Sequence, residues 1–219
     1  MRPCRTHPQY DVMFDSTSIL YDHYKDTHSG LLSAIKKRER TMLYVVLTLA
    51  AFGFYAFSPT YSSEALSSFL SSQYGLNTII NFNLLGSIIW FLLLVFSLRY
   101  FQVSVFIERQ YEYLHVLEYK LNQKLGEEII TREGKSYLAD YPKFSDWVWL
   151  MYTVLFPTTL LLVALCKVVY EWMDTGFNFS GYTTLNTTFF VFLVVTILLY
   201  LLKIHASSEQ KDAKEKVTE

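Results

Sequence analysis

Four nearly uninterrupted apolar segments most constrain what this chain can fold into. They cover residues 41 to 58, 78 to 98, 147 to 170 and 187 to 202. A helix needs about 20 apolar residues to cross a hydrocarbon core roughly 30 Å thick, and each segment can cross it or nearly cross it. A soluble domain would instead spread its apolar residues at a period of about 2 or 3.6. We therefore expect an all-α, polytopic membrane protein with four transmembrane helices.

The first segment is the least apolar of the four, because Ala50, Ala51, Gly53 and Ala56 dilute its larger side chains. Small residues of this kind are typical of a packed helix face in a membrane. A buried helix of a soluble domain would be expected to carry a charged residue somewhere, and none occurs between positions 41 and 58. This favours membrane crossing for the first segment as well.

Lysine and arginine indicate the orientation, because they resist transfer across the bilayer and accumulate on the cytoplasmic side. Residues 59 to 77 and 171 to 186 contain neither, and Lys167 is the one exception near the outer end of the third segment. The other basic residues precede the first segment, separate the second from the third, or follow the fourth. We therefore expect both termini and the region 99 to 146 on the cytoplasmic side.

The remaining sequence then divides into an N-terminal helical segment (1 to 40), two outer loops (59 to 77 and 171 to 186), a central cytoplasmic region (99 to 146) and a tail (203 to 219). Between Gly86 and Gly126 there is no glycine or proline, so the second span is expected to continue as a cytoplasmic helical stalk. Leucines at spacings of three and four give this stalk an apolar face: Leu114, Leu117, Leu121 and Leu125. Its partner would be the N-terminal helix, the segment 127 to 144, or the same stalk of another subunit.

The central region also carries basic residues that are candidates for binding an anion or a partner: Arg109, Lys120, Lys124, Arg132 and Lys135. Their ligand would be a nucleotide messenger, a lipid headgroup or the acidic face of another protein. Simple retention of basic residues on the inner side is sufficient to explain them. The whole chain carries 19 basic and 20 acidic residues, and this balance argues against direct binding to nucleic acid.

No sequence pattern points to catalysis, because GxSxG, P-loop and GxGxxG motifs are all absent. His23 and His28, together with Asp22 and Asp26, do not have the spacing of a metal site, and a solvated helix face explains them better. We therefore expect no enzyme, no cofactor and no bound metal.

Within the spans, Pro157 is a candidate kink for gating, although proline in a transmembrane helix is often only structural. Asn81, Asn83, Thr158 and Thr159 are the polar residues that would line a pore. These residues support an alternative function as an ion channel or small-solute permease. A proton-coupled carrier is disfavoured, because no Asp, Glu or Arg lies in the middle of a span.

Two triplets that begin at Asn178 and Asn186 match the N-glycosylation sequon on the expected outer side. Such triplets are frequent by chance. Sugar on either asparagine would point to a third function, that of an assembly or trafficking factor in a eukaryotic organelle membrane.

The stretches YLHVLEYKL (113 to 121), TREGKSYL (131 to 138) and Tyr141-Pro142 resemble the central loop of small bacterial membrane proteins from anti-phage defence systems. The resemblance implies an oligomeric effector or sensor of the bacterial inner membrane that responds to infection. Such a protein would perturb the membrane or recruit a soluble cytoplasmic partner. The soluble sensor or nuclease domain often fused to these effectors is not in this sequence, so the partner is expected to be a separate protein.

Nearly all the sequence outside the spans lies on the expected inner side, and the outer connections are short. The leading hypothesis is therefore a non-enzymatic, homo-oligomeric membrane component that senses a signal or binds a soluble cytoplasmic partner.

Overall fold

A computed structural model of the chain describes the backbone at residues 8–57, 59–74, 82–130, 147 and 150–218, and side chains at 17–55, 61, 64–73, 83–130, 147 and 150–204. Every regular element in these ranges is helical, as the sequence predicts. The elements are α1 (Pro8–Phe57), α2 (Pro59–Tyr74), α3 (Phe82–Leu125), a π-helical turn (Met151–Leu155), α4 (Phe156–Asp174) and α5 (Gly181–Thr218).

Three helical stretches in the described part of the chain are long and apolar enough to cross a membrane. They are Asn83–Leu125, Met151–Asp174 and Gly181–Ile204. The all-helical fold and the membrane character predicted from the sequence are therefore confirmed. The first predicted span falls on the C-terminal part of α1, and its last residue, Ser58, lies outside the described residues.

The connection between residues 59 and 77 is not simply the loop expected from the sequence, since it contains helix α2. Pro59 occupies the first position of this helix, where its fixed φ angle suits the helix and its missing N–H group is not needed. The apolar pattern that predicts a span does not include this start signal.

The chain divides into two compact units. Unit 1 comprises Met1–Arg38 with Val103–Ser145, and unit 2 comprises Glu39–Gln102 with Asp146–Glu219. Helices α1 and α3 each contribute residues to both units.

Unit 1 has a core between the first half of α1 and the last half of α3. From α1 come Tyr24, Leu31 and Ala34, and from α3 come Val103, Ile107, Leu114, Leu117 and Leu121. Within this core the hydroxyl of Tyr24 donates a hydrogen bond of 3.0 Å to Oε1 of Glu118. Glu118 is only 4 % exposed, so this bond satisfies a carboxylate that is removed from water.

Helix α3 ends at Leu125 because Gly126 adopts a φ of 74°, which a glycine tolerates without steric cost. The chain then folds back on its own helix. The side chain of Asn122 donates from Nδ2 to the carbonyl of Ile130 at 2.8 Å and accepts from the amide of Ile130 at 2.9 Å. This pairing lets Ile130 pack against the core of unit 1.

Unit 2 packs residues of α1, α3, α4 and α5 around fully buried side chains. Leu93, Leu160, Leu193 and Ile197 are each 0 % exposed. Aromatic rings join the helices in edge-to-face pairs, with the Phe52 and Trp90 centroids 4.9 Å apart and those of Tyr100 and Phe156 5.1 Å apart. Such pairs stabilise the packing beyond the area that they bury.

Candidate functional site

A polar cluster of unit 2 is built around Glu171, which lies in the last turn of α4. Its Oε1 lies 3.3 Å from Nζ of Lys167, one helical turn earlier, and also accepts a hydrogen bond of 3.2 Å from Nε1 of Trp90 on α3. Its Oε2 accepts a hydrogen bond of 3.1 Å from Nδ2 of Asn186 on α5. One carboxylate therefore joins three helices through its two oxygens.

The ion pair is largely removed from solvent, since the side chains of Lys167 and Glu171 are 9 % and 13 % exposed. Burying a charged pair is costly unless further hydrogen bonds satisfy the remaining lone pairs. Trp90 and Asn186 supply those bonds to Glu171. Lys167, the one basic residue near the outer end of the third apolar segment, therefore has a partner for its ammonium group within unit 2.

Two tyrosine rings complete the surroundings of the Lys167 ammonium group. Its Nζ lies 4.8 Å from the ring centroid of Tyr55 on α1 and 5.4 Å from that of Tyr170. Both distances lie within the range of a cation–π interaction, which strengthens when the cation is desolvated. The ring of Tyr55 also packs directly on Gly86 of α3, where a Cβ atom would approach the ring carbon Cζ to 2.9 Å.

The turn between α4 and α5 brings Glu171 and Asn186 together. Helix α4 ends where Gly176 and Phe177 both adopt a φ of 61°, and the amide of Phe177 donates to the carbonyl of Trp172 at 3.0 Å. Helix α5 starts after Ser180, whose Oγ accepts a hydrogen bond from the amide of Thr183.

The indole Nε1 of Trp172 then donates to the hydroxyl of Thr187 at 2.9 Å, which holds the two helices side by side.

A cavity of about 170 Å³ lies beside the Glu171 cluster. Polar side chains from α3, α4 and α5 line it, among them Asn83, Asp174, Thr183 and Asn186, and Tyr55 of α1 closes one part of its wall. At about 30 Å³ for each water molecule, the cavity has room for about six waters or for one small organic molecule.

One atom beside this cavity has no hydrogen-bond partner. Asn186 is 6 % exposed, and its Oδ1 is buried without a partner among the described residues. The carboxylate of Glu171 fixes the amide orientation, because only the NH₂ group can donate to it. The carbonyl oxygen is therefore an unpartnered buried acceptor on a side chain that lines the cavity.

The predicted basic residues Arg109, Lys120 and Lys124 all lie exposed on the unit 1 part of α3. Arg132 and Lys135 lie outside the described residues. Arg109 and Lys120 lie on one helix face with Tyr113 and Val116, at spacings of four and three residues. This exposed stripe, formed by Arg109, Tyr113, Val116 and Lys120, is called the α3 stripe below.

The four leucines assigned to stalk packing do not share one environment. Leu114, Leu117 and Leu121 are 0 %, 3 % and 1 % exposed and pack against α1 in the core of unit 1. Leu125 is 42 % exposed. The apolar face of the stalk therefore packs against the N-terminal helix and against Ile130 of the segment 127 to 144, two of the partners expected from the sequence.

Pro157 is buried at the start of α4, directly after the π-helical turn. Both a proline and a π-helical turn interrupt the regular hydrogen bonding of a helix, and both are common causes of a bend. The hydroxyl of Tyr100 lies 3.5 Å from the carbonyl oxygen of Tyr152 within the turn. The candidate gating residue therefore coincides with a local irregularity that the sequence alone did not indicate.

The residues suggested for a pore are not gathered in one place. Asn83 lines the cavity, whereas the hydroxyl of Thr158 donates to the backbone carbonyls of Val154 and Leu155 in its own helix. Thr159 is exposed, and Asn81 lies outside the described residues.

The cluster of Lys167, Glu171 and Trp90 was not predicted from the sequence. A Lys and a Glu four residues apart at the end of an apolar helix were a usable signal, because residues at this spacing lie on one helix face. The contributions of Trp90 and Asn186 had no such signal, since they depend on how α3 and α5 pack against α4.

The two sequon asparagines differ in exposure, since Asn178 is exposed in the turn and Asn186 is buried in the cluster.

Comparisons with protein-family models, curated proteins and solved structures find no match to this chain.

Proposed function

We propose that this chain is a non-enzymatic membrane component that crosses the bilayer four times and binds a soluble cytoplasmic protein through unit 1. Unit 1 supports this function because it has a core of its own, formed by Tyr24, Leu31 and Leu117 among others. A disordered tail would bury no such core. Unit 1 can therefore present a fixed surface to a partner.

The proposed topology places the C-terminal part of α1 in the membrane as the first of four spans. Its residues 41 to 57 belong to one continuous helix and include no charged residue. With three further helices of sufficient length and apolarity, an even number of spans puts both termini on one side. The basic residues of the central region support the cytoplasm as that side.

In this topology the last part of α3 is a cytoplasmic stalk, and unit 1 forms where the stalk meets the first half of α1. Cysteine labelling in cells tests the arrangement, in a variant whose native cysteines, Cys4 and Cys166, are replaced. We expect an impermeant maleimide to label Phe179→Cys from outside, because Phe179 is 84 % exposed in the turn after α4. Labelling of Lys120→Cys from outside would reverse the topology.

The α3 stripe is the proposed partner-binding surface. Tyr113 and Val116 are 42 % and 47 % exposed, and they lie between the cationic groups of Arg109 and Lys120. An apolar centre with charges at its edges is the usual organisation of a protein interface. The complementary partner is an amphipathic segment with an apolar face and acidic flanks.

Capture of partners from the cytoplasm of the source cell tests this surface. The full chain would be the bait, and Lys120→Glu and Val116→Asp would be compared with the wild type. We expect both substitutions to reduce recovery of the partner about tenfold or more, because a like charge or a buried aspartate opposes the docking. Lys36→Glu is the matched control, since Lys36 is an exposed lysine of unit 1 that lies on α1 and not on the α3 stripe.

Equal recovery with Lys120→Glu and wild type would exclude the α3 stripe as the binding surface. Deleting residues 110 to 140 would be a poorer test, because it removes Leu114, Leu117 and Leu121 from the core of unit 1.

The proposal includes self-association in the membrane and a role in bacterial anti-phage defence. The resemblance at residues 113 to 142 supports that role. Counting phage plaques on cells with and without the gene tests the role in defence. Light scattering of the protein in native nanodiscs tests its self-association. Unchanged plaque counts would exclude defence as the role, and a particle with one copy of the chain would exclude the oligomer.

An ion channel or small-solute permease is the second candidate, and the polar cavity that Asn83 lines is the observation that favours it. Flux into liposomes that contain the purified chain separates the two functions. An impermeable preparation that still captures its partner would exclude transport.

A further inference from the structure

We propose that the cavity beside Glu171 is a binding site for a small organic ammonium ion. This inference goes beyond the proposed partner binding and depends on different residues, all of them in unit 2. It is carried by the unpartnered acceptor on Asn186, by the charge of the lining and by the size of the cavity.

The acceptor on Asn186 requires a donor. A buried carbonyl oxygen without a hydrogen bond is destabilising, and a donor that reaches it from the cavity would recover the free energy of the missing bond. The neighbouring NH₂ group is committed to Glu171, so the amide cannot rotate to satisfy itself without placing its oxygen against a carboxylate. A ligand with N–H groups fits this requirement, and an anion does not.

The charges of the lining favour a cation. The charged residues among the lining are Lys167, Glu171 and Asp174, so carboxylates outnumber ammonium groups by one. Glu171 is already bonded to Lys167, Trp90 and Asn186. The carboxylate of Asp174 makes no hydrogen bond or ion pair with the described residues, and it can neutralise a second ammonium group.

The aromatic surroundings suit the same ligand. The rings of Tyr55 and Tyr170 already hold one ammonium group, that of Lys167, at cation–π distances. Tyrosine rings, carboxylates and carbonyl oxygens together are the groups by which proteins select organic cations over anions. The volume of about 170 Å³ limits the ligand to a small amine of a few heavy atoms.

Titration of the full-length chain in lipid nanodiscs tests this proposal. Ethylammonium chloride is the probe, and sodium chloride and sodium acetate at equal ionic strength are the comparison arms. Tryptophan fluorescence reports occupancy, because Trp90 bonds to Glu171 and Trp172 lies in the adjoining turn of α4. We expect a saturable change with ethylammonium alone.

Two variants identify the cavity as the site. Asp174→Asn is expected to weaken ethylammonium binding about tenfold by removing the exposed carboxylate, and Asn186→Leu to weaken it at least as much. Asn178→Leu makes the same change at an exposed asparagine of the turn, and it should bind like the wild type. Should Asn186→Leu fail to fold, Asp174→Asn decides the outcome, because Asp174 is exposed and its replacement leaves the Glu171 cluster intact.

The absence of saturation with ethylammonium would overturn the proposal, as would equal affinity in wild type and Asp174→Asn. Saturation with sodium chloride at the same concentrations would assign the cavity to an inorganic cation, and a response to acetate would reverse the charge of the ligand. Each of these results rules out an organic ammonium site. Partner capture through the α3 stripe is measured separately, so failure of one proposal is distinguishable from failure of the other.

Discussion

The hydroxyl oxygen of Tyr55 lies 2.6 Å from the position that a Cβ atom on Gly86 would occupy. A Cβ carbon cannot form a hydrogen bond and would overlap the hydroxyl oxygen at that distance, so only glycine lets α1 and α3 approach in this way. The same ring faces the ammonium group of Lys167. A change at Gly86 is therefore expected to act on the ion pair through Tyr55.

Gly86→Ala should lower the stability of unit 2 by about 1 to 3 kcal/mol, because the Tyr55 ring must move out of a packed position. Thermal unfolding in detergent measures the effect. Gly53→Ala is the matched control, since no atom lies within 4 Å of a Cβ built on Gly53. At that position the extra methyl group should be neutral or stabilise the helix by up to about 1 kcal/mol. Equal melting temperatures for the two variants would contradict the close packing.

Lys167→Met should destabilise the protein by about 3 to 5 kcal/mol, because it leaves the Glu171 carboxylate buried without its ammonium partner. The double variant Lys167→Met with Glu171→Gln should recover most of the loss, since the glutamine retains an oxygen that can accept from Trp90. A double-mutant cycle on unfolding free energies measures the coupling. If the two changes were additive, the ion pair would have no part in stabilising unit 2.

The sequence predicted the helices well where the signal was local. Long apolar runs predicted the helical spans, and the absence of glycine and proline after Gly86 predicted a helix that continues to Leu125. These features depend only on the order of residues along one helix. The start of α2 at Pro59 was also a local signal, and it was overlooked.

The candidate site depends on contacts that sequence order does not encode. Glu171 meets Trp90 across 81 positions and Asn186 across 15 positions of the chain. Helical periodicity places a residue on a face of its own helix, but it does not say which neighbour that face meets. The basic residues Arg109 and Lys120 were identified from charge alone, and their common stripe with Tyr113 became visible only from their exposure in unit 1.

Tyr24→Phe tests the buried hydrogen bond in unit 1. Removing the hydroxyl takes a donor away from Glu118, and the loss should be about 1 to 3 kcal/mol, because a buried acceptor loses one of its bonds. Tyr21→Phe makes the same change three residues earlier on α1, where the side chain is 51 % exposed, and it should be neutral. Chemical unfolding followed by circular dichroism compares the two. A loss in Tyr21→Phe as large as that in Tyr24→Phe would show that the hydroxyl of Tyr24 has no special role.

Leu121→Ala and Leu125→Ala separate a core position from a surface position on the same helix. Leu121 is 1 % exposed in the core of unit 1, so its truncation should cost about 2 to 5 kcal/mol, from lost burial and the cavity that remains. Leu125 is 42 % exposed, and its truncation should change stability by less than about 0.5 kcal/mol. Hydrogen exchange of the α3 amides would measure both effects. If Leu125→Ala proved as damaging as Leu121→Ala, Leu125 would have to be covered in the assembled protein, and a second copy of the stalk would become the natural candidate for its partner.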